Sequence, residues 1–128
     1  VRKMFREDAN EYKAKADAVS QAEIYRQSYA ISVCTSEDIQ SPTVVGAQAA
    51  NELLNIKGVK ASFVLTEYQG KIYVSARSID EVNVQIMERM GGGGHMSIAG
   101  CQLEGVGMAE AIGSLKATID TMVEEGAI

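Results

Sequence analysis

Residues 61–78 read ASFVLTEYQGKIYVSARS, two runs rich in β-branched and aromatic residues joined by Gln69-Gly70. A two-residue joint of this kind predicts a β-hairpin, which fixes one antiparallel pair near the middle of the chain. Side chains alternate across a strand, so Ile72, Val74 and Ala76 share one face while Tyr73, Ser75 and Arg77 share the other. The rest of the chain must be arranged around this pair. Upstream, SYAISVC also alternates, with Tyr29, Ile31 and Val33 on one face; downstream, AGCQLEG reads as a last strand.

Helical spacing fills the intervals. Val1, Met4, Phe5, Tyr12, Ala16 and Val19 predict a long helix over residues 2–23, in part a connector from whatever precedes it. In SPTVVGAQAANELLNIKG, Ser41 suits an N-cap, Pro42 the first helical position and Gly58 the stop. Ser78 and Glu81 have the spacing of a capping box, opening a short helix from about Glu81 to Met90. Met108, Ala111, Ile112, Leu115, Ile119, Met122 and Val123 form one apolar stripe, a C-terminal helix. The order is helix, strand, helix, two strands, helix, glycine loop, strand, helix. It predicts an α/β fold with a mixed central sheet flanked by helices.

At 128 residues the chain suits one domain, and 46% apolar with 23% charged residues is ordinary for a globular protein. No stretch approaches ~18 consecutive apolar residues, and no signal-peptide pattern opens the sequence. A net charge of −5 argues against loose, charge-driven binding to nucleic acid but leaves room for a small site holding one or two phosphates. Residues 1–26 hold half of the Lys and Arg, while the stretch from Glu104 onward has five acids and one lysine; solvated helix faces account for both. Cys34 and Cys101 sit in apolar, strand-like runs and read as two buried thiols, although sequence alone leaves a bridge open. One His and two Cys do not make a typical structural zinc site without carboxylate help. The opening VRKMFREDANEYKAK, with no initiator methionine and already in helical register, reads as a piece of a longer protein.

The run MGGGGHM, residues 90–96, sets four glycines against the only histidine of the chain. A glycine run is costly in backbone entropy. Linkers are the common explanation, but this run lies inside a domain, between a helix and a strand. It lacks the Gly-Lys-Ser/Thr of a Walker loop, and the helix before it and the strand after it do not suit a dinucleotide fingerprint. Consecutive glycines can turn several N–H groups toward one point, an anion nest, and let a flat ring lie on bare backbone. His95 stands where it could donate to the same phosphate, and an arginine at position 77, at the end of an apolar strand, is placed to fork onto it. Taken singly, a surface salt bridge to Glu67 or Asp80 explains Arg77 as well, and a solvated helix position explains Asn83.

Together, SARS (75–78), VNV (82–84) and GGGGH (91–95) followed by AG (99–100) resemble the DHH-associated domain, the substrate-binding half of DHH-type phosphoesterases. The resemblance covers about residues 27–126 and implies residues 27–128 as that domain, with 1–26 a linker helix from an N-terminal DHH domain. It further implies that Arg77, Ser78, Asn83, Gly91, Gly92, Gly93, Gly94 and His95 bind substrate, with Arg77 and His95 holding the phosphoryl group. No metal is expected in this chain; two manganese ions are expected in the DHH domain. The opening segment looks most like the linker of bacterial membrane-anchored cyclic-di-AMP phosphodiesterases, which carry transmembrane helices, a PAS domain and a degenerate GGDEF domain. That implies a cytoplasmic domain without membrane contact of its own, a DHH domain in cis, homodimerisation as an option, and cyclic-di-AMP or a short oligonucleotide as substrate. Such a fragment alone would be inactive. An oligoribonuclease and pAp phosphatase, a RecJ-type exonuclease, a nucleic-acid-binding module like the related domain of alanyl-tRNA synthetase, and an oligomerisation domain remain alternatives. Ile98 departs from the two small residues usual before the Gly of GGGGHxxAAG, which leaves base preference open.

Overall fold

A computed structural model describes residues 9–95 and 98–128. Its centre is a mixed sheet of strands β1 (Glu23–Tyr25), β2 (Tyr29–Cys34), β3 (Ala61–Tyr68), β4 (Lys71–Ser78), β5 (Gly93–His95) and β6 (Ile98–Glu104), in the order β1-β2-β3-β4-β6-β5. Helices α1 (Ala9–Ser20) and α2 (Pro42–Leu53) pack on one face; α3 (Val82–Arg89) and α4 (Met108–Glu124) pack on the other. β2 and β3 are parallel because α2 crosses between them, and the remaining pairs are antiparallel. The expected α/β fold with a mixed sheet flanked by helices is the one observed.

The β3–β4 hairpin forms as its sequence predicts. Gln69 (φ 53°) and Gly70 (φ 78°) both take positive φ, the turn that matches the twist of two antiparallel strands. Ala61, Phe63 and Leu65 of β3 join Ile72, Val74 and Ala76 of β4 in a core closed by Ala111, Leu115, Ile119 and Met122 of α4 and by Ile86 and Met87 of α3. The C-terminal stripe is therefore core. The opposite face of β2 and β3 is buried as well. Ala30 and Cys34 of β2 and Val64 of β3 pack against α1 and α2, and the Ser62 hydroxyl donates to the Ala50 carbonyl at 2.6 Å. Cys34 and Cys101 are free thiols in separate cores on opposite faces, and burial raises both pKa values, Cys101 to about 11.

Several local expectations give way to tertiary packing. The first helix ends at Ser20 rather than near residue 23, and Glu23–Tyr25 form an edge strand where a linker helix was expected to run to residue 26. Val1, Met4 and Phe5 lie outside the described residues. Of the remaining stripe, Tyr12 is 60% exposed, Ala16 is exposed and Val19 is half-buried against the core; the buried residues of α1 are instead Ala14 and Ala18, whose small size lets α1 approach α2 and β2 closely. Val33 is half-exposed, unlike Tyr29 and Ile31. Ser41 occupies the N-cap position of α2 without a side-chain cap bond, with Pro42 following as expected, and α2 stops at Leu53, so Gly58 (φ 93°) serves the later turn instead.

The height of α2 above the sheet is set by Gly46. A Cβ there would stand 2.7 Å from Thr66 Oγ1 on β3, so only glycine lets the helix sit this low. α2 thus covers β2 and β3 tightly and reaches β4 only in part, while Tyr73, Ser75 and Arg77 of β4 stay partly exposed.

Candidate functional site

The partly open surface consists of successive rows across the sheet. Cross-strand pairing aligns Thr66, Tyr73 and Gln102 in one row, then Val64, Ser75, Gly100 and Gly93, then Ser62, Arg77, Ile98 and His95. The register thus brings Arg77, the strand half of the glycine run and the His95 backbone to one side of the sheet. The side chains of Gly94, His95, Ile98 and Ala99 are outside the described set.

Arg77 is half-buried, and desolvation lowers its pKa from the ordinary value without discharging a guanidinium. Its Nε donates to Asn51 Oδ1 of α2 at 2.8 Å, and its Nη1 donates to the Ala76 carbonyl at 3.0 Å. Neither Glu67 nor Asp80 pairs with it, and among the described residues no carboxylate does. A guanidinium held by an amide and a carbonyl keeps its full charge available for an anion.

Each described glycine of the run has its own reason. Gly91 (φ 95°) ends α3: its N–H donates to the Glu88 carbonyl, and that of Gly92 to the Met87 carbonyl at 2.7 Å, the paired bonds of a Schellman motif. A Cβ on Gly92 would lie 2.1 Å from the Gly100 carbonyl oxygen and 2.5 Å from Cys101 Cβ, so this position must be bare for the chain to fold back along β6. Gly100 is bare because a Cβ would stand 2.8 Å from the Val74 carbonyl oxygen. Gly93 meets nothing within 4 Å; it faces open space. The expected loop is therefore half helix stop and half strand: Gly93–His95 pair with β6, where glycine's low strand propensity gave no sign of it.

Ser78 and Asn83 stand apart from this surface. Alternation turns Ser78 to the α3 side of β4, and both side chains are buried, Asn83 completely. The Ser78 hydroxyl has the Asn83 Oδ1 at 2.6 Å and the Asp80 carbonyl within reach of its single proton, and it accepts the Asn83 N–H at 3.3 Å. The Asn83 amide donates to the Ala76 carbonyl at 3.2 Å. The capping box between Ser78 and Glu81 does not form: α3 begins at Val82, whose N–H goes to Asp80 Oδ1 at 3.0 Å, and Ser78 serves Asn83 instead. Because the Ala76 carbonyl receives both the Asn83 amide and Arg77 Nη1, this buried network fixes the strand segment that carries Arg77 without itself facing the open side.

Sequence reading did not anticipate Asn51, Thr43 and Gln102. Gln102 follows from extending the alternation of β6 from Gly100; Asn51 and Thr43 depend on where α2 lands and leave no local signal. With Tyr73, Ser75, Gly92 and Gly100, the residues Thr43 and Gln102 line a concavity of about 510 Å³ over β4 and β6. Among the described residues no group of three or more His, Cys, Asp or Glu is placed to hold a metal ion. No helix among them is long and apolar enough to cross a membrane.

Comparison with known proteins matches residues 26–125 to the DHHA1 domain. The chain is 43% identical over 122 residues to the cyclic-di-AMP phosphodiesterase PdeA of Listeria monocytogenes serotype 1/2a (strain 10403S), covering 94% of this chain and 18% of that protein. It is 38% identical over 129 residues to the cyclic-di-AMP phosphodiesterase GdpP of Bacillus subtilis (strain 168), covering 98% and 20%. The chain therefore spans about a fifth of the length of these relatives. Among solved structures, an exopolyphosphatase-related protein from Bacteroides fragilis superposes with a TM-score of 0.80 at 22% identity, over 94% of this chain and 37% of that one, a likeness of fold. With the model match spanning most of the sequence and the mixed sheet agreeing with it, the chain belongs to the DHHA1 domain family.

Proposed function

We propose that this chain is the substrate-binding domain of a metal-dependent phosphodiesterase that hydrolyses cyclic-di-AMP to linear pApA. The observation that carries the reading is Arg77, a half-buried guanidinium with no carboxylate partner among the described residues, one row along the same sheet face from the bare glycine backbone of Gly100 and Gly93. The names of the relatives support the substrate, and the phosphodiesterase chemistry follows from that support rather than from any group on this chain. In this reading Arg77 binds a phosphate and offsets charge developing on it, Gly93 lets the nucleotide approach the backbone, and His95 adds a donor. Asn51 and the Ser78–Asn83 network hold Arg77 in place.

The metal-dependent chemistry belongs to residues outside this chain: a DHH domain in cis with two manganese ions, in a membrane-anchored bacterial protein whose cytoplasmic side includes residues 27–128. The residues before β1 then lead in from that domain. The test uses the full-length protein that carries this chain, with cyclic-di-AMP and manganese, reading pApA formation. Arg77→Ala is expected to lower kcat/KM roughly 10²-fold, as loss of a transition-state donor does. Unchanged hydrolysis by Arg77→Ala overturns the reading, as does robust metal-dependent hydrolysis by residues 1–128 alone. Steeply salt-dependent RNA binding without hydrolysis would favour a nucleic-acid-binding module instead.

A further inference from the structure

The concavity beside Arg77 differs from it in chemistry. Its floor is flat and poor in side chains: Ser75 and Gly100 face each other across β4 and β6, and Gly92 closes one edge. Its far end is polar, with Tyr73 and Gln102 paired across the strands and Thr43 reaching in from the first turn of α2. Among the described residues none of those lining it carries a charge. The Ser75 row lies about 7 Å from the Arg77 row, and the Tyr73–Gln102 row about as far again. A volume of about 510 Å³ is ample for a small flat ring.

A surface with one cation free of carboxylates, Arg77, two residues along β4 from Ser75, and a neutral, flat, polar-ended hollow over Ser75 fits a nucleoside phosphate laid along β4. From these features we infer that the hollow is a base-reading subsite, with the base on the Ser75–Gly100 floor and the Gln102 carboxamide reading its polar edge. The inference rests on the proposed function and adds the source of its base preference. A carboxamide offers a donor and an acceptor side by side, which matches the N6 and N7 of adenine; guanine O6 and N7 are matched by Arg or Lys, and neither lines the hollow. The assignment is therefore adenine over guanine. Gln102 is exposed on its strand, so it can change without disturbing the fold.

The experiment compares kcat/KM for cyclic-di-AMP and cyclic-di-GMP in the full-length protein. Wild type is expected to prefer cyclic-di-AMP. Gln102→Ala should cut that preference about tenfold, mainly by raising KM for cyclic-di-AMP, with kcat and Tm little changed. Gln102→Glu, which keeps the size and loses the donor, should do the same. Arg77→Ala should lower both substrates together. No preference in wild type, or an unchanged ratio in both Gln102 variants, overturns the inference even where Arg77→Ala confirms phosphate binding. If Arg77→Ala affects neither substrate, the proposed function itself fails.

Discussion

The two faces of the sheet around β4 and β6 have been put to opposite uses. On one, Phe63, Leu65, Ile72, Val74 and Ala76 vanish beneath α3 and α4, and the polar groups that intrude there, Ser78 and Asn83, satisfy one another. On the other, α2 stops short of β6, leaving Tyr73, Ser75, Arg77 and Gln102 partly or fully exposed around a hollow. The covered face supplies stability through apolar area and a closed hydrogen-bond network. The open face keeps a desolvated charge and bare backbone that contribute nothing comparable to stability. Each residue of the site can be judged by the face to which it belongs.

Substitutions on the two faces should separate stability from binding. Gly92→Ala should have the largest effect, about 3 kcal/mol or more of destabilisation in urea melts, because its Cβ meets the Gly100 carbonyl oxygen at 2.1 Å and the strand return must shift. Asn83→Ala removes the donor to the Ala76 carbonyl and the acceptor for Ser78 inside the core, and should cost about 1–3 kcal/mol. It should also weaken activity less than Arg77→Ala at temperatures where the variant is folded. Gly93→Ala, one residue from Gly92 but facing open space, should stay within ~0.5 kcal/mol of wild type while lowering nucleotide affinity. If Gly92→Ala and Gly93→Ala prove equally destabilising, the run is a single structural unit and the distinction drawn here fails.

The smallest expected effect lies far from both faces, where Arg26 Nε and the Tyr25 hydroxyl donate to Asp120 at 2.7 and 2.8 Å and tie β1 to α4. The hydrogen bond from Arg26, then that from Tyr25, lowers the Asp120 pKa. A depressed carboxylate contributes stability that is present above its unfolded pKa of about 3.9 and lost as pH falls through the lower folded value. Asp120→Asn should therefore be slightly less stable than wild type at pH 7, with the gap closing as the pH drops below about 4. A gap that widens in acid contradicts this sign.

What the sequence made legible was local. The hairpin, the C-terminal stripe and the helix start at Pro42 each rest on neighbours in the chain, and each is where the pattern puts it. The first helix departs from its apolar pattern because α1 packs through Ala14 and Ala18 and leaves Tyr12 outside. β5 was invisible because its pairing with β6, not its glycines, makes it a strand. In the site, alternation identified the face of Arg77 and, applied one residue further, would have sent Ser78 to the core; motif proximity grouped the two instead. Asn51, Thr43 and Gln102 enter only once α2 and β6 have been placed on the sheet.

Everything proposed for Arg77 and the hollow requires nucleotide to bind the α2 side of the sheet and not the α3–α4 side. Amide chemical shifts of the isotope-labelled 128-residue chain, followed as pApA is added, test it most directly. Shifts are expected to concentrate at residues 73–77, 92–93 and 100–102 and to vanish in Arg77→Ala, with the amides of α4 unmoved. Shifts centred on α3 and α4, or none up to millimolar pApA, would contradict it.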